Sequence, residues 1–319
     1  MVHSKGEFKR GIDKNLTGIL NSMTWIILAI VAQAISALTV FIDKFVLVSK
    51  EGIKSPAAFA FYTAMLSGLV LILVPFGVVS MPSYDVLFFA VVSGMVYIAA
   101  LLFLYRVLQE LVVTDVIPVT ASVGALTTGT LAAFLLAKDL PLSFIPAFLL
   151  LSVGTFLIYC FCFSRKLFLM TVIAGVLLGV SSFVSKLVFD AADTFLNGLF
   201  WLLIMNVVVA LVVLAPARFF AIRTSLSGSS SDVKWLALLS KSLGGAAFFL
   251  SATAISLGSV TIVNALGGLQ LVFLFIFVPL FARRVPDVFK QEFAKESIIL
   301  KLLGTLSIIV GLAVLFIFQ

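Results

Sequence analysis

The sequence predicts an all-α integral membrane protein whose ten transmembrane helices form two inverted five-helix repeats. Three observations carry this expectation. The 319 residues are 62% hydrophobic and only 11% charged, with a mean hydropathy of +1.27, whereas a soluble domain carries roughly 25% charged residues. Ten apolar runs follow one another, each near the ~20 residues that cross the hydrocarbon core. Motifs of the first five runs recur in the last five.

So much apolar surface cannot be hidden inside a single water-soluble core, and lipid is the solvent that accommodates it. The runs are roughly 24–48, 57–79, 86–105, 112–136, 143–163, 168–189, 195–215, 235–257, 260–281 and 298–318. Within hydrocarbon every backbone N–H and C=O must find a partner inside the protein, so continuous apolar runs become helices. A barrel would instead show short alternating segments. A polar tail, 1–22, precedes the first repeat, 23–164, and the second repeat is 165–319. The tail has no apolar stretch leading to a small-residue cleavage site, so no cleaved signal peptide is expected. Asn15-Leu16-Thr17 fits a glycosylation sequon, a pattern that chance produces often. Two connections are longer than the rest. Residues 216–234 contain Ser225-Leu226-Ser227-Gly228-Ser229-Ser230-Ser231, the composition of a flexible linker. Residues 282–297 carry seven charges, with Phe289 and Phe293 four apart, and predict a short interfacial helix.

The repeat is visible at the end of the first run, Phe41-Ile42-Asp43-Lys44-Phe45-Val46, and of the sixth, Phe183-Val184-Ser185-Lys186-Leu187-Val188. Lys186 lies 142 positions after Lys44. Ser152-Val153-Gly154 in run five answers Ile309-Val310-Gly311 in run ten, and Pro141 answers Pro286. An odd number of spans per repeat forces the halves into opposite orientation, which puts a ligand site near the midplane between them.

These residues carry a resemblance to the drug/metabolite transporter superfamily, in its ten-helix EamA-type branch. The matching positions are Lys44, Pro56 and Lys186. Two helix-pair endings add to them: Tyr105-Arg106-Val107-Leu108 through Pro118 to Lys138-Asp139-Leu140 and Gly154, and Ala252-Thr253-Ala254-Ile255 to Arg283-Arg284 and Gly311. The chain departs from the family at Phe61-Tyr62-Thr63, where an Arg is common, and at Lys138-Asp139 and Arg283-Arg284, where a Glu is common. The resemblance implies a secondary transporter, an exporter or exchanger of small polar metabolites such as amino acids. Such a protein works by alternating access through a central cavity lined by spans one, three, four, six, eight and nine. A multi-pass protein of a cell membrane (plasma or inner) is expected, as a monomer or homodimer.

Charged groups inside a bilayer are costly and point to function. Run one carries Gln33, Ser36, Thr39, Asp43 and Lys44 within an arc of about 140° at ~100° per residue. Run six carries Ser181, Ser182, Ser185 and Lys186. These stripes read as cavity walls whose lysines attract a carboxylate or phosphate; the alternative is that both lysines snorkel to the headgroups. Tyr97 and Asn264 complete the candidate substrate site. Thr114, Asp115, Pro118, Thr120 and Ser122 make run four a further candidate wall, with a kink expected at Pro118. Lys241 either lines an entrance or snorkels, Asn206 reads as pairing a neighbouring helix, and Tyr105 reads as interfacial. Gly175 and Gly179 read as helix packing or, less favourably, as a dimer face.

Other function classes fit poorly. The sole His is His3, so no intramembrane nucleophile has a histidine base. Ser185-Lys186 and Ser240-Lys241 are adjacent pairs whose side chains diverge by about 100°. Cys160 and Cys162 point to different helix faces, which argues against a disulfide or a metal site. No Walker A pattern occurs, so ATP hydrolysis is not expected. No catalytic residue, metal or cofactor is therefore predicted, and the partners expected are a small-molecule substrate and the bilayer. The net charge of +7 sits mostly between the runs and orients helices rather than binding nucleic acid. A non-transporting scaffold or a channel is the alternative, although a channel needs a continuous polar lining and the polar residues here cluster in patches. Orientation stays open: counting basic residues puts both termini outside, while the family resemblance puts the N-terminus in the cytoplasm.

Overall fold

A computed structural model describes residues 3–49, 51–135, 144–162, 164–257, 263, 266–282 and 298–317. Among these residues all regular structure is helical. The elements are α1 (His3–Val48), α2 (Pro56–Ser67) with a 3-10 continuation over Gly68–Phe76, α3 (Tyr84–Glu110), α4 (Val113–Leu135), α5 (Phe144–Cys162) and α6 (Arg165–Ala191). They continue with α7 (Phe195–Val209), a π turn (Ala210–Leu214), α8 (Ala215–Ser227), α9 (Ser231–Leu257), α10 (Gly268–Ala282) and α11 (Ile298–Ile317). Seven helices are long and apolar enough to cross a membrane, and two shorter apolar stretches, Ile145–Leu157 and Leu302–Gly311, accompany them. The chain is an α-helical multi-pass membrane protein on that measure.

Local chemistry sets the helix starts. Ser83, Ser164 and Thr194 stand in extended conformation before α3, α6 and α7, and each side chain accepts an N–H of the first turn. Ser55 does the same for α2, with Pro56 at the first helical position. Span two ends at Gly77, whose φ of 66° is left-handed and suits a residue without a Cβ.

Helix α1 begins at His3 and runs unbroken from the polar tail into the first span. One expectation meets a different outcome. The serine-rich linker is mostly helix: α8 reaches Ser227 and α9 starts at Ser231. Ser225 and Ser229 find backbone partners. Ser229 Oγ donates to Ser225 O at 2.7 Å and Gly52 O at 3.3 Å, and Ser225 Oγ accepts from Ser55 N at 3.1 Å. Helix α4 continues across Pro118. The predicted interfacial helix at 282–297, and the positions Pro141 and Pro286, lie outside the described residues.

The helices pair as α3 on α6, α1 on α9, α5 on α11, α4 on α6 and α1 on α10. Small residues let backbones approach at these crossings. Gly124 of α4 faces both Gly175 and Gly179 of α6, and Thr128 Oγ1 donates to Gly179 O at 3.0 Å. The glycine pair of run six therefore packs inside the bundle. The α5–α11 crossing is reciprocal: Gly154 abuts Gly304 and Ile308, and Gly311 abuts Leu150 and Leu151.

A Cβ on Gly179 would meet Gly124 O at 2.6 Å, whereas a Cβ on Gly245 meets nothing within 4 Å. Gly179→Val should destabilise the detergent-purified protein by about 1–3 kcal/mol or more, and Gly245→Val should leave the melting temperature nearly unchanged. Equal melting of the two variants would refute the tight α4–α6 crossing.

Candidate functional site

A cavity of about 580 Å³ opens among α1, α2 with its 3-10 continuation, α3, α6, α7 and α9, with Gln270 of α10 also on its wall. Its volume falls within the range of small-molecule sites, ~300–1,000 Å³. Leu66, Leu69, Val70, Leu101, Leu202 and Phe248 make most of the wall apolar. Two polar nodes interrupt it.

The first node is charged. Asp43 of α1 accepts from Lys241 Nζ at 2.5 Å and from Ser240 Oγ at 2.5 Å, both on α9. The paired side chains are 6% and 7% exposed. Lys241 also donates to Tyr105 OH at 3.0 Å and stands 4.3 Å from the Phe59 ring centroid and 5.1 Å from that of Tyr105. Tyr105 is held in turn by Thr63 Oγ1 at 3.1 Å and by ring contact with Phe59. Taking two charges out of water is expensive, and only tight pairing with further hydrogen bonds offsets that cost.

The second node is neutral. Ser93 Oγ of α3 lies 3.1 Å from Ser185 Oγ and 3.3 Å from Ser181 Oγ of α6, and it donates to Ser181 O at 3.5 Å. Asn206 of α7 lies beside this node on the cavity wall. It is 6% exposed, and its Oδ1 has no hydrogen-bond partner among the described residues.

The predicted site residues separate into two groups. Ser36, Asp43, Tyr97 and Ser185 line the cavity. Lys44, Lys186, Gln33 and Ser182 do not. Lys44 is 4% exposed and donates to Leu108 O at 2.6 Å and Leu111 O at 2.8 Å, at the C-terminal end of α3. Orphan carbonyls and the negative pole of the helix stabilise the ammonium there. Lys186 pairs with Asp190 one turn along α6, with 32% of its side chain exposed. Ser182 faces outward, and Gln33 is buried away from the cavity. Asn264 lies outside the described residues.

Other side chains enter unannounced. Lys241 lines the cavity rather than snorkelling, Tyr105 is buried rather than interfacial, and Asn206 Oδ1 has no hydrogen-bond partner on a neighbouring helix among the described residues. Spans two and seven join the wall, and span four drops out of it. The α4 hydroxyls bond their own preceding turn instead, as Thr120 does to Val116 O and Thr127 to Val123 O, or tie to α5 through Ser122 and Thr155 at 2.6 Å. One signal in the sequence pointed at the charged node: Asp43 and Lys241 are opposite charges set well inside different apolar runs. Among the described residues no three His, Cys, Asp or Glu side chains gather as a metal site.

No protein-family model matches the chain, and no curated protein does. A solved structure described as "Crystal structure of protein" superposes over 92% of this chain and 95% of its own, with a TM-score of 0.53 at 19% sequence identity. At that identity the likeness extends to the fold.

Asp43→Asn leaves Lys241 buried without its counter-charge, and Lys241→Met strands the carboxylate. Each should destabilise the protein by about 3–5 kcal/mol, and the double variant should cost clearly less than their sum. Thermal denaturation of the four proteins measures this, and strict additivity would mean that the two charges do not act as a pair.

Proposed function

We propose that this protein is a secondary transporter, an exporter or exchanger that carries small organic molecules through the central cavity by alternating access. The observation that carries the reading is the ion pair Asp43–Lys241, buried on the wall of a ligand-sized cavity inside membrane-spanning helices. Ionised groups at such depth mark substrate or ion pathways.

On this reading the chain has ten spans in two inverted halves, α1–α5 and α6–α11, with α7 and α8 forming one span. The two cavity nodes support it. Both α3 and α9 are 27 residues long, and Ser93 and Ser240 are each the tenth residue of their helix. Ser240 Oγ reaches Thr39 O and Asp43; Ser93 Oγ reaches Ser181 O and Ser185. Thr39 and Ser181, like Asp43 and Ser185, share the 142-residue spacing of Lys44 and Lys186. One hydrogen-bond pattern thus occurs twice, once charged and once neutral. The pairing of α3 on α6 with α1 on α9, and the reciprocal α5–α11 crossing, fit the same two-fold relation. Spans two and seven both leave α-helical geometry, in the 3-10 stretch Gly68–Phe76 and the π turn Ala210–Leu214. Interrupted helices at corresponding positions of two halves are the pattern around carrier sites.

The mechanism follows from the seams. The contacts of α1 with α9 and of α3 with α6 each join one half to the other. Rocking the halves loosens one seam as it tightens the other, and the cavity changes the side to which it opens. The driving force is a gradient or exchange. The protein resides in a cell membrane, plasma or inner, and one copy suffices because the cavity is built within one chain. The family resemblance to drug/metabolite transporters is part of this proposal. The expectation of an anionic substrate rested on Lys44 and Lys186, both of which are engaged by other protein groups and do not line the cavity.

Reconstituted in liposomes preloaded with a panel of amino acids, sugar phosphates, nucleotide sugars and uncharged amphiphiles, the protein should support saturable counterflow of at least one class. Gly245→Trp, which fills the cavity, should abolish it. Non-saturating ion flux would favour a channel, and no flux with any class a scaffold.

A further inference from the structure

Resting on the reading of the cavity as a carrier site, we infer that its ligand is an uncharged, mostly apolar molecule bearing a hydroxyl, amide or amine that Asn206 recognises. The charged node argues first. Asp43 is already occupied by Lys241 and Ser240, and Lys241 by Asp43, Tyr105 and two aromatic faces. The pair is neutral as a unit. A charged ligand would have to pull it apart inside a low-dielectric cavity and surrender its own hydration as well.

The remaining cations and the walls point the same way. Lys44 is engaged with the α3 carbonyls and Lys186 with Asp190, so neither offers a charge to the cavity. Leucine is the commonest residue of the wall, joined by Val40, Val70, Ile72, Phe248 and Phe249. Leu69 and Ile72, which line it, are also 58% and 70% exposed. An apolar molecule meets continuous apolar surface there.

Among the buried side-chain atoms of this wall, Asn206 Oδ1 has no hydrogen-bond partner among the described residues. Asn206 sits on an apolar helix with its amide oxygen unpaired, an arrangement that costs free energy unless something answers it. Its neighbour on α3 is Gly94, and any larger residue would bring a Cβ to 3.2 Å from that oxygen. Rotation about the broad terminal torsion of Asn presents either the carbonyl or the NH2 to the cavity. A hydroxyl, amide or amine supplies the complementary partner, and Ser93, Ser181 and Ser185 are occupied with one another.

Three probes of one skeleton test this: N-phenyl-1-naphthylamine, neutral with one N–H; its 8-sulfonate, an anion; and 1-phenylnaphthalene, neutral without the N–H. Each is titrated calorimetrically into the protein in nanodiscs, with empty nanodiscs subtracted. The amine should bind saturably at one site, and the sulfonate at least about tenfold more weakly. Asn206→Leu should weaken the amine about tenfold, the loss expected for one neutral hydrogen bond. Binding of phenylnaphthalene should be unchanged by the variant, which also shows that the variant is folded. Equal or tighter binding of the sulfonate, or an amine affinity indifferent to Asn206→Leu, overturns the inference. If amino acids or sugar phosphates undergo counterflow while the amine does not bind, the inference falls and the carrier reading stands. If no solute of any charge binds or moves, both fall.

Discussion

The contact between Asp43 and Lys241 joins the first helix to the ninth across the centre of the bundle, and neither residue tolerates that depth alone. An isolated carboxylate or ammonium in hydrocarbon is unfavourable enough that the two must meet, and their meeting dictates which faces of α1 and α9 look at one another. Ser240, Tyr105, Thr63 and Phe59 are ordered around the pair, so that a constraint on two atoms propagates into α2 and α3. On the opposite wall Ser93 meets Ser181 and Ser185 through hydroxyls alone. The cavity therefore joins one stiff seam to one held by weaker bonds, and a structure of that kind has a natural place to yield.

Lysines of equivalent position need not do equivalent work. Lys44 and Lys186 stand 142 residues apart in matching sequence contexts, yet one is buried against backbone carbonyls and the other forms a half-exposed pair within its own helix. The difference lies in what each helix meets. At Lys44 the end of α3 abuts α1 and offers carbonyls that lack intrahelical partners. At Lys186 an aspartate one turn on is the nearest acceptor. The same residue stands in two similar sequence contexts, and the surroundings decide its role.

This also explains what could be read from the chain. The helical class and the positions of the apolar runs follow from lipid as solvent, because a backbone in hydrocarbon has few alternatives. The packing role of Gly175 and Gly179 was likewise visible, since small residues four apart have a limited repertoire in membranes, although not that α4 is their partner. The cavity was legible only on one side. Helical periodicity identified the face of α1 that carries Ser36 and Asp43, but no periodicity says which helix stands opposite. Lys241, Tyr105 and Asn206 acquire meaning only through neighbours 40 or more residues away in sequence. Span four misled because threonine and serine in a helix can satisfy themselves on the preceding turn, so a row of hydroxyls need not face anything polar.

The 3-10 stretch of span two has a consequence for length. A residue in that geometry rises about 2.0 Å instead of 1.5 Å, so the nine residues from Gly68 to Phe76 reach roughly 4–5 Å further than the same residues wound as α-helix. The span behaves as an extended strap whose hydrophobic reach changes by nearly one turn if it rewinds. Thicker bilayers favour the stretched form and thinner ones the wound form. Because the strap forms part of the cavity wall, the thickness of the surrounding membrane becomes a mechanical input to the site it encloses.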